Sequence, residues 1–311
     1  MNGVTRVAAI DCGTNSIRLL VADLPEQDGA PLTDLVRRME IVRLGQSVDR
    51  TGRLAPEAIE RTRVALADYA AVIRELGATR TRMVATSATR DAENAAEFRD
   101  MVIATLGVAP DVATGEEEAT LSYSGAVRGL PRSAEPPYLV VDIGGGSTEF
   151  VVGDATVDRA VSVDVGCVRM TERHLHGDPP SAAEVAAAEA EISATVAGAL
   201  DAVGAARART LVGLAGSVTT VAALALGLDH YEPDRIHHAR LSCDEVAKVC
   251  ADLLAMTREQ RLALPAMHPG RADVIGAGAL VLRVLMERAG ADAVIASEHD
   301  ILDGIAWSLT R

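Results

Sequence analysis

One strand–turn–strand pattern is written twice in this chain, and that duplication limits the possible folds more than any other feature. The first copy runs Val7-Ala8-Ala9-Ile10-Asp11-Cys12-Gly13-Thr14-Asn15-Ser16 into Ile17-Arg18-Leu19-Leu20-Val21-Ala22-Asp23. The second runs Leu139-Val140-Val141-Asp142-Ile143-Gly144-Gly145-Gly146-Ser147-Thr148-Glu149 into Phe150-Val151-Val152-Gly153-Asp154. Aligning Asp11 on Asp142 also pairs Gly13 with Gly144, Ser16 with Ser147, Val21 with Val152 and Asp23 with Asp154. In each copy a buried apolar strand ends in a carboxylate, turns through glycine and hydroxyl residues, and continues as a second apolar run. Turn glycines let backbone N–H groups point into a concavity that suits phosphate oxygens. The aspartate beside each turn is a hard oxygen ligand of the kind Mg²⁺ takes. A single Gly-rich turn is common between strands. Two copies about 130 residues apart, each opening a half of the chain, predict a duplicated domain with a phosphate site between the halves.

The pattern is not a P-loop, which needs Gly-x-x-x-x-Gly-Lys-Ser/Thr followed directly by a helix. Here a strand follows each turn, and Lys248 is the only lysine, far from both hairpins. Cationic contacts to phosphate must come from arginine or from a metal.

Composition narrows the function classes. The 311 residues, 49% hydrophobic, suit two domains, each with its own core. Aromatic residues make up 2%, which leaves no stacking platform for single-stranded nucleic acid. A net charge of −14 argues against nonspecific binding to nucleic acid or an anionic membrane. A locally basic cleft on an acidic protein remains compatible with a polyphosphate-type substrate. No apolar run has membrane-spanning length and no signal-like start is present, while Cys12, Cys167, Cys243 and Cys250 lack zinc-site spacing. The expected setting is a reducing cytoplasm.

Along the chain, the pattern predicts a strand over 34–44, a helix over 56–76 closed by Gly77, a strand over 81–86 and a helix ending near Leu106. A brief strand at 112–113 precedes a helix opening at Thr114, and the Pro/Gly/Ser-rich stretch 129–137 reads as the linker. The second half repeats the logic, with strands at 159–165 and 210–214 and a helix opened by Pro179-Pro180-Ser181. Further helices are expected after Gly216-Ser217 and over 243–256, 271–288 and 301–309. Helices alternate with strands in both halves, so the class is α/β.

Several separate segments resemble the exopolyphosphatase and guanosine pentaphosphate phosphohydrolase family, within the actin/Hsp70/sugar-kinase superfamily. Asp11-Cys12-Gly13-Thr14-Asn15-Ser16 resembles its first phosphate loop, and Asp142 to Glu149 its second. Ala85-Thr86-Ser87-Ala88-Thr89-Arg90 with Asn94 resembles its Ala-Thr-Ser-Ala-x-Arg segment. Gly115-Glu116-Glu117-Glu118-Ala119 is similar to the segment carrying its catalytic glutamate. Weaker matches run through Gly166-Cys167-Val168-Arg169, Gly213 to Ser217, and Arg271-Ala272-Asp273. Thr120 departs from the arginine of many relatives. The chain ends at Arg311, so the resemblance is to a short form without the helical HD-like region of longer relatives. His299-Asp300 is then read as a coincidental pair, because only 11 residues follow it.

The resemblance implies two ribonuclease-H-like α/β domains, 1–128 and 129–311, facing across a cleft, with the last helix (301–311) able to pack back on the first. It implies a Mg²⁺-dependent hydrolase of the terminal phosphate of inorganic polyphosphate, working as a homodimer. Glu118 is the candidate general base, since hydrolysis of a phosphoanhydride needs a carboxylate to accept the proton of water. Thr114-Gly115-Glu116-Glu117 has capping-box spacing, which gives Glu117 a structural role instead. Asp11, Asp142 and Glu149 are the candidate Mg²⁺ ligands, with Glu149 also placed beside the reacting phosphate. Thr14, Asn15, Ser16, Arg90, Gly145, Gly146, Ser147 and Thr148 are the candidate substrate contacts, and Arg18 and Arg271 further candidate clamps. Gly213 to Ser217 reads as close helix packing, with a contact to ADP or ATP as the alternative. The histidines read as rim residues. Guanosine pentaphosphate is the alternative substrate, and a non-hydrolytic nucleotide or polyphosphate sensor the alternative of another class. The acidic chain predicts a preference for short polyphosphates.

Overall fold

The computed structural model describes residues 5–25 and 30–310. It divides into two compact units, Met1–Gly129 with Asp300–Arg311, and Leu130–His299.

In the first unit, β1 (Arg6–Cys12), β2 (Ser16–Asp23) and β3 (Thr33–Ile41) form an antiparallel meander. There follow α1 (Val48–Thr51), α2 (Pro56–Leu76), β4 (Arg80–Ala85), α3 (Ser87–Arg90), α4 (Ala95–Leu106), β5 (Asp111–Val112) and α5 (Gly115–Val127). β4 and β5 join in parallel, giving the order β3-β2-β1-β4-β5. Side chains alternate across this sheet, as the period of a strand requires. Ala8, Ile10, Ile17 and Leu19 pack with Leu66, Tyr69 and Phe98 of α2 and α4. Val7, Ala9, Leu20 and Ala22 line the other face.

The second unit repeats the plan. Its meander is β6 (Tyr138–Ile143), β7 (Thr148–Gly153) and β8 (Val157–Val163). Next come α6 (Cys167–His174), α7 (Ala182–Val203), β9 (Thr210–Leu214), α8 (Ala215–Ala225), α9 (Pro233–Ile236) and β10 (Arg240–Ser242). The unit closes with α10 (Cys243–Ala255), α11 (Arg258–Leu262), α12 (Ile275–Ala289) and β11 (Ala293–Ala296). The sheet order is β10-β11-β9-β6-β7-β8. Leu139, Val141, Ile143, Phe150 and Val152 face the core under α7 and α12, which leaves Asp142 and Glu149 on the opposite face.

The last helix, α13 (Ile301–Ser308), belongs to the first unit. Ile301, Leu302, Ile305 and Ala306 cover the sheet face of Val7, Ala9 and Leu20. α13 also lies against α5 at backbone distance. A Cβ on Gly125 would stand 1.9 Å from the Asp300 carbonyl oxygen, and one on Gly304 2.0 Å from that of Leu121. Only glycine permits that approach.

Each half thus has the ribonuclease-H-like α/β build expected from the sequence. The helix over 56–76 with its Gly77 end, and the strand over 210–214, fall where the pattern predicts. The differences are local: the strand expected over 34–44 ends at Ile41 and that over 159–165 at Val163, where the chain leaves the sheet. The helix expected from Arg271 begins at Ile275, because Pro269–Arg271 is a 3₁₀ turn. α1, α6, α9, α11, β10 and β11 have no counterpart in the sequence pattern, since runs of three to eight residues carry too little periodicity to stand out.

Candidate active site

The first hairpin sets Asp11 directly opposite Arg18 across β1 and β2. Nε and Nη2 of Arg18 donate to Oδ2 of Asp11 at 2.9 and 2.6 Å, and Nη1 donates to Asp300, the N-cap of α13. Asp11 is 4% exposed. Burial pushes its carboxyl above the ordinary range, with Arg18 opposing the rise and Asp300 adding to it. Burial also works against the Arg18 charge, but Asp300 and Asp11 outweigh it and hold the guanidinium well above its usual value. Arg18, a candidate clamp in the sequence, therefore spends its fork on two carboxylates of its own unit. Asp300 of the His299-Asp300 pair accepts from Arg18 and caps α13.

The turn between those strands is closed by Gly13 N–H donating to the Ser16 carbonyl at 2.9 Å. Thr14 Oγ1 and Ser87 Oγ are 2.9 Å apart and buried, which joins the first loop to the strand-to-helix turn after β4. Arg90 ends the short α3 in that segment. Its Nη1 donates to the Ala113 carbonyl at 2.8 Å and to Oε2 of Glu118 at 3.2 Å. The structure brings these two candidates together, with Glu118 8% exposed in the first turn of α5. Glu117 N–H donates to Thr114 Oγ1, while Thr114 N–H donates to Glu117 Oε2. That backbone hydrogen bond holds the Glu117 carboxyl below its ordinary value. Glu117 is the cap and Glu118, one residue on, stands beside the guanidinium.

The second hairpin has the same turn, closed by Gly144 N–H donating to the Ser147 carbonyl at 3.0 Å. Here the residue opposite the aspartate is a carboxylate, because Asp142 pairs in register with Glu149. They are 7% and 1% exposed, and Ser162 Oγ donates to Glu149 Oε1 at 2.7 Å. Thr148 is fully buried, and its hydroxyl donates to the Val165 carbonyl at 2.5 Å. Its side chain thus supports the turn from behind, unlike Ser147 within the turn.

Each turn is backed by a strap, a role that the sequence pattern does not assign to either segment. After β8, the chain from Val165 to Arg169 crosses behind Gly144–Gly146. A Cβ on Gly166 would stand 2.4 Å from the Gly145 carbonyl oxygen, so the strap and the turn touch backbone to backbone. After β3, residues 42–45 do the same for the first loop: Gly45 N–H donates to the Thr14 carbonyl, and Val42 and Arg43 N–H to that of Asn15. A signal was present. Val42-Arg43-Leu44-Gly45 and Val163-Asp164-Val165-Gly166 repeat a valine, an apolar residue and a glycine after the third strand of each half.

The donor chemistry distinguishes the two hairpins as metal sites. Two carboxylates opposite one another repel, and a hard divalent cation with oxygen preference suits such a pair. Among the described residues no group of three or more His, Cys, Asp and Glu could hold a metal. Mg²⁺ commonly takes only one or two carboxylates beside waters and phosphate oxygens, so Asp142 and Glu149 fit it. Asp11 fits it less well, because Arg18 already matches its charge.

The profile of the Ppx/GppA phosphatase family matches residues 21–310. The chain belongs to that family. As a Ppx/GppA protein it is 53% identical over 320 residues to Exopolyphosphatase 2 of Mycobacterium tuberculosis, covering 98% of this chain and 99% of that one. Among solved structures, an exopolyphosphatase-like protein superposes with a TM-score of 0.93 at 44% identity, covering 98% and 97% of the two chains. The Ppx/GppA enzyme of Aquifex aeolicus superposes with a TM-score of 0.81 at 32% identity, covering 98% and 100%. Among the described residues, no helix of this family member is long and apolar enough to cross a membrane.

Proposed function

We propose that this chain is an exopolyphosphatase, a Mg²⁺-dependent hydrolase of the terminal phosphoanhydride of inorganic polyphosphate. The observation that carries this reading is its 53% identity, over nearly the whole of both chains, to a protein named Exopolyphosphatase 2. The geometry of each unit supports the chemistry.

Glu118 accepts a proton from the attacking water. The water oxygen bonds to the terminal phosphorus as the bridging P–O bond breaks, which yields orthophosphate and a chain one phosphate shorter. Arg90 uses Nη1 to hold Glu118 and the Ala113 carbonyl. Its Nε and Nη2 present the second edge of the fork, which suits two phosphate oxygens. Each unit offers a turn suited to phosphate oxygens, through the amides of Gly145, Gly146 and Ser147 in the second and through Thr14, Asn15 and Ser16 in the first. Asp142 and Glu149 would hold Mg²⁺, which would supply charge neutralisation for the phosphate oxygens. With a net charge of −14, phosphates beyond the cleaved one meet little attraction within a Debye length of about 8–10 Å, which favours short chains.

Phosphate release from short polyphosphate, long polyphosphate, guanosine pentaphosphate and ATP, with Mg²⁺ and with EDTA, tests the reading. Short polyphosphate with Mg²⁺ should give the fastest release, and EDTA should abolish it. Faster release from guanosine pentaphosphate than from any polyphosphate would replace the substrate, and full activity in EDTA would remove the metal.

A further inference from the structure

The three carbonyls of the second turn all point to one side, and each is held there by the strap. Gly144 O accepts from Cys167 N–H at 3.0 Å, and Gly145 O from Val168 and Arg169 N–H at 2.8 and 3.1 Å. Gly146 O accepts from Nε of Arg169 at 2.7 Å. The three backbone donors are the first N–H groups of α6, which have no carbonyl within their own helix to bond. Helix and turn satisfy each other.

A trans peptide carries its N–H on the side away from its C=O. Carbonyls drawn toward the strap therefore aim the N–H groups of Gly145, Gly146 and Ser147 away from it. Successive amides turned outward in this way form an anion-binding concavity. Two of the three peptides are held by backbone, which most residues could supply. The third, Gly146–Ser147, is held by a side chain. In the first turn the corresponding carbonyl, Asn15, receives backbone N–H groups from Val42 and Arg43 and needs no such side chain.

We propose that Arg169 is a positioning residue of the second phosphate loop, fixing the Gly146–Ser147 peptide so that the Ser147 amide faces the bound phosphate. Its side chain is 10% exposed, and Nη2 lies 3.6 Å from Asp164 Oδ1 at the edge of the strap. Without the Nε donor, the Gly146 carbonyl loses this partner, and the glycine beside it opposes no rotation of the peptide. When the peptide rotates, the amide donor gives way to a repelling carbonyl, and the phosphate loses one contact of the oxyanion-hole kind. This inference rests on the phosphohydrolase reading of the loop.

The test compares wild type, Arg169→Lys and Arg169→Ala in two measurements. One is binding of inorganic phosphate by calorimetry, and the other is kcat and KM on short polyphosphate. Lysine keeps the charge and the stem but has no donor at the Nε position. Both variants should lose about 10²-fold in kcat/KM and bind phosphate more weakly, the size expected for one such donor. Ethylguanidine added to Arg169→Ala should restore part of both, which a purely structural defect would not allow. Wild-type phosphate binding in Arg169→Lys would overturn the proposal while leaving the exopolyphosphatase reading intact. Wild type that binds phosphate but does not cleave polyphosphate would overturn that reading alone, and the binding series would still decide Arg169. No phosphate binding by wild type would overturn both.

Discussion

On the first hairpin Asp11 faces Arg18, whereas on the second Asp142 faces Glu149. Strand pairing and turn closure are otherwise alike, a strap backs each turn, and the two pairs occupy matching positions in the repeat. One cross-strand residue thus separates a carboxylate balanced by a cation of the protein from a pair of carboxylates suited to a cation from outside. The first arrangement extends inward, because Arg18 also grips Asp300 and so ties the hairpin to the helix that ends the chain. The second is on the sheet face away from its own unit's core, with Glu149 at the register position that Arg18 holds in the first. A duplicated backbone has diverged into an anchoring copy and a copy suited to chemistry.

The strongest test converts one copy into the other. Glu149→Arg gives the second hairpin the pairing of the first, and turnover should fall by about 10⁴-fold or more with no response to added Mg²⁺. Retained Mg²⁺ activation would mean that the two hairpins do not differ in metal chemistry. Next in size is Glu118→Gln, which keeps shape but removes the proton acceptor. It should lower kcat by about 10²–10⁴-fold while phosphate binding persists, and near-normal kcat would remove Glu118 as base.

Arg18→Met probes the anchoring copy. It leaves Asp11 and Asp300 buried without their shared cation, a change that costs about 3–5 kcal/mol where a buried pair is broken. Urea unfolding should report that loss, while the Mg²⁺ concentration for half-maximal activity stays at the wild-type value. A shift in that concentration with little loss of stability would reverse the roles given to the two hairpins. The smallest effect is expected at Glu117. Its carboxyl is lowered in the folded state, so the stability it adds is present above its unfolded value and is lost as pH falls through the lowered one. Glu117→Gln should remove that acid limb from the pH dependence of unfolding and leave kcat within about twofold of wild type. A Glu117→Gln loss as large as that of Glu118→Gln would undo the division between neighbours.

The sequence by itself determined what depends on near neighbours in the chain. The repeated hairpins show because strand period and turn glycines are local patterns. The capping box of Thr114 and Glu117 and the glycine end of α2 show because each needs only three or four residues in a row. Tertiary structure alone decided what the charged residues do. Arg18 carries the same side chain whether it grips phosphate or carboxylate, and its partner Asp300 lies 282 residues away. Arg90 meets Glu118 only because β4, β5 and the segments after them converge. The strap glycines are ordinary letters until the turn is folded against them, since a close approach is a property of two segments. Long-range pairing assigns such roles, because the energy of a charge depends on what surrounds it once water has been excluded.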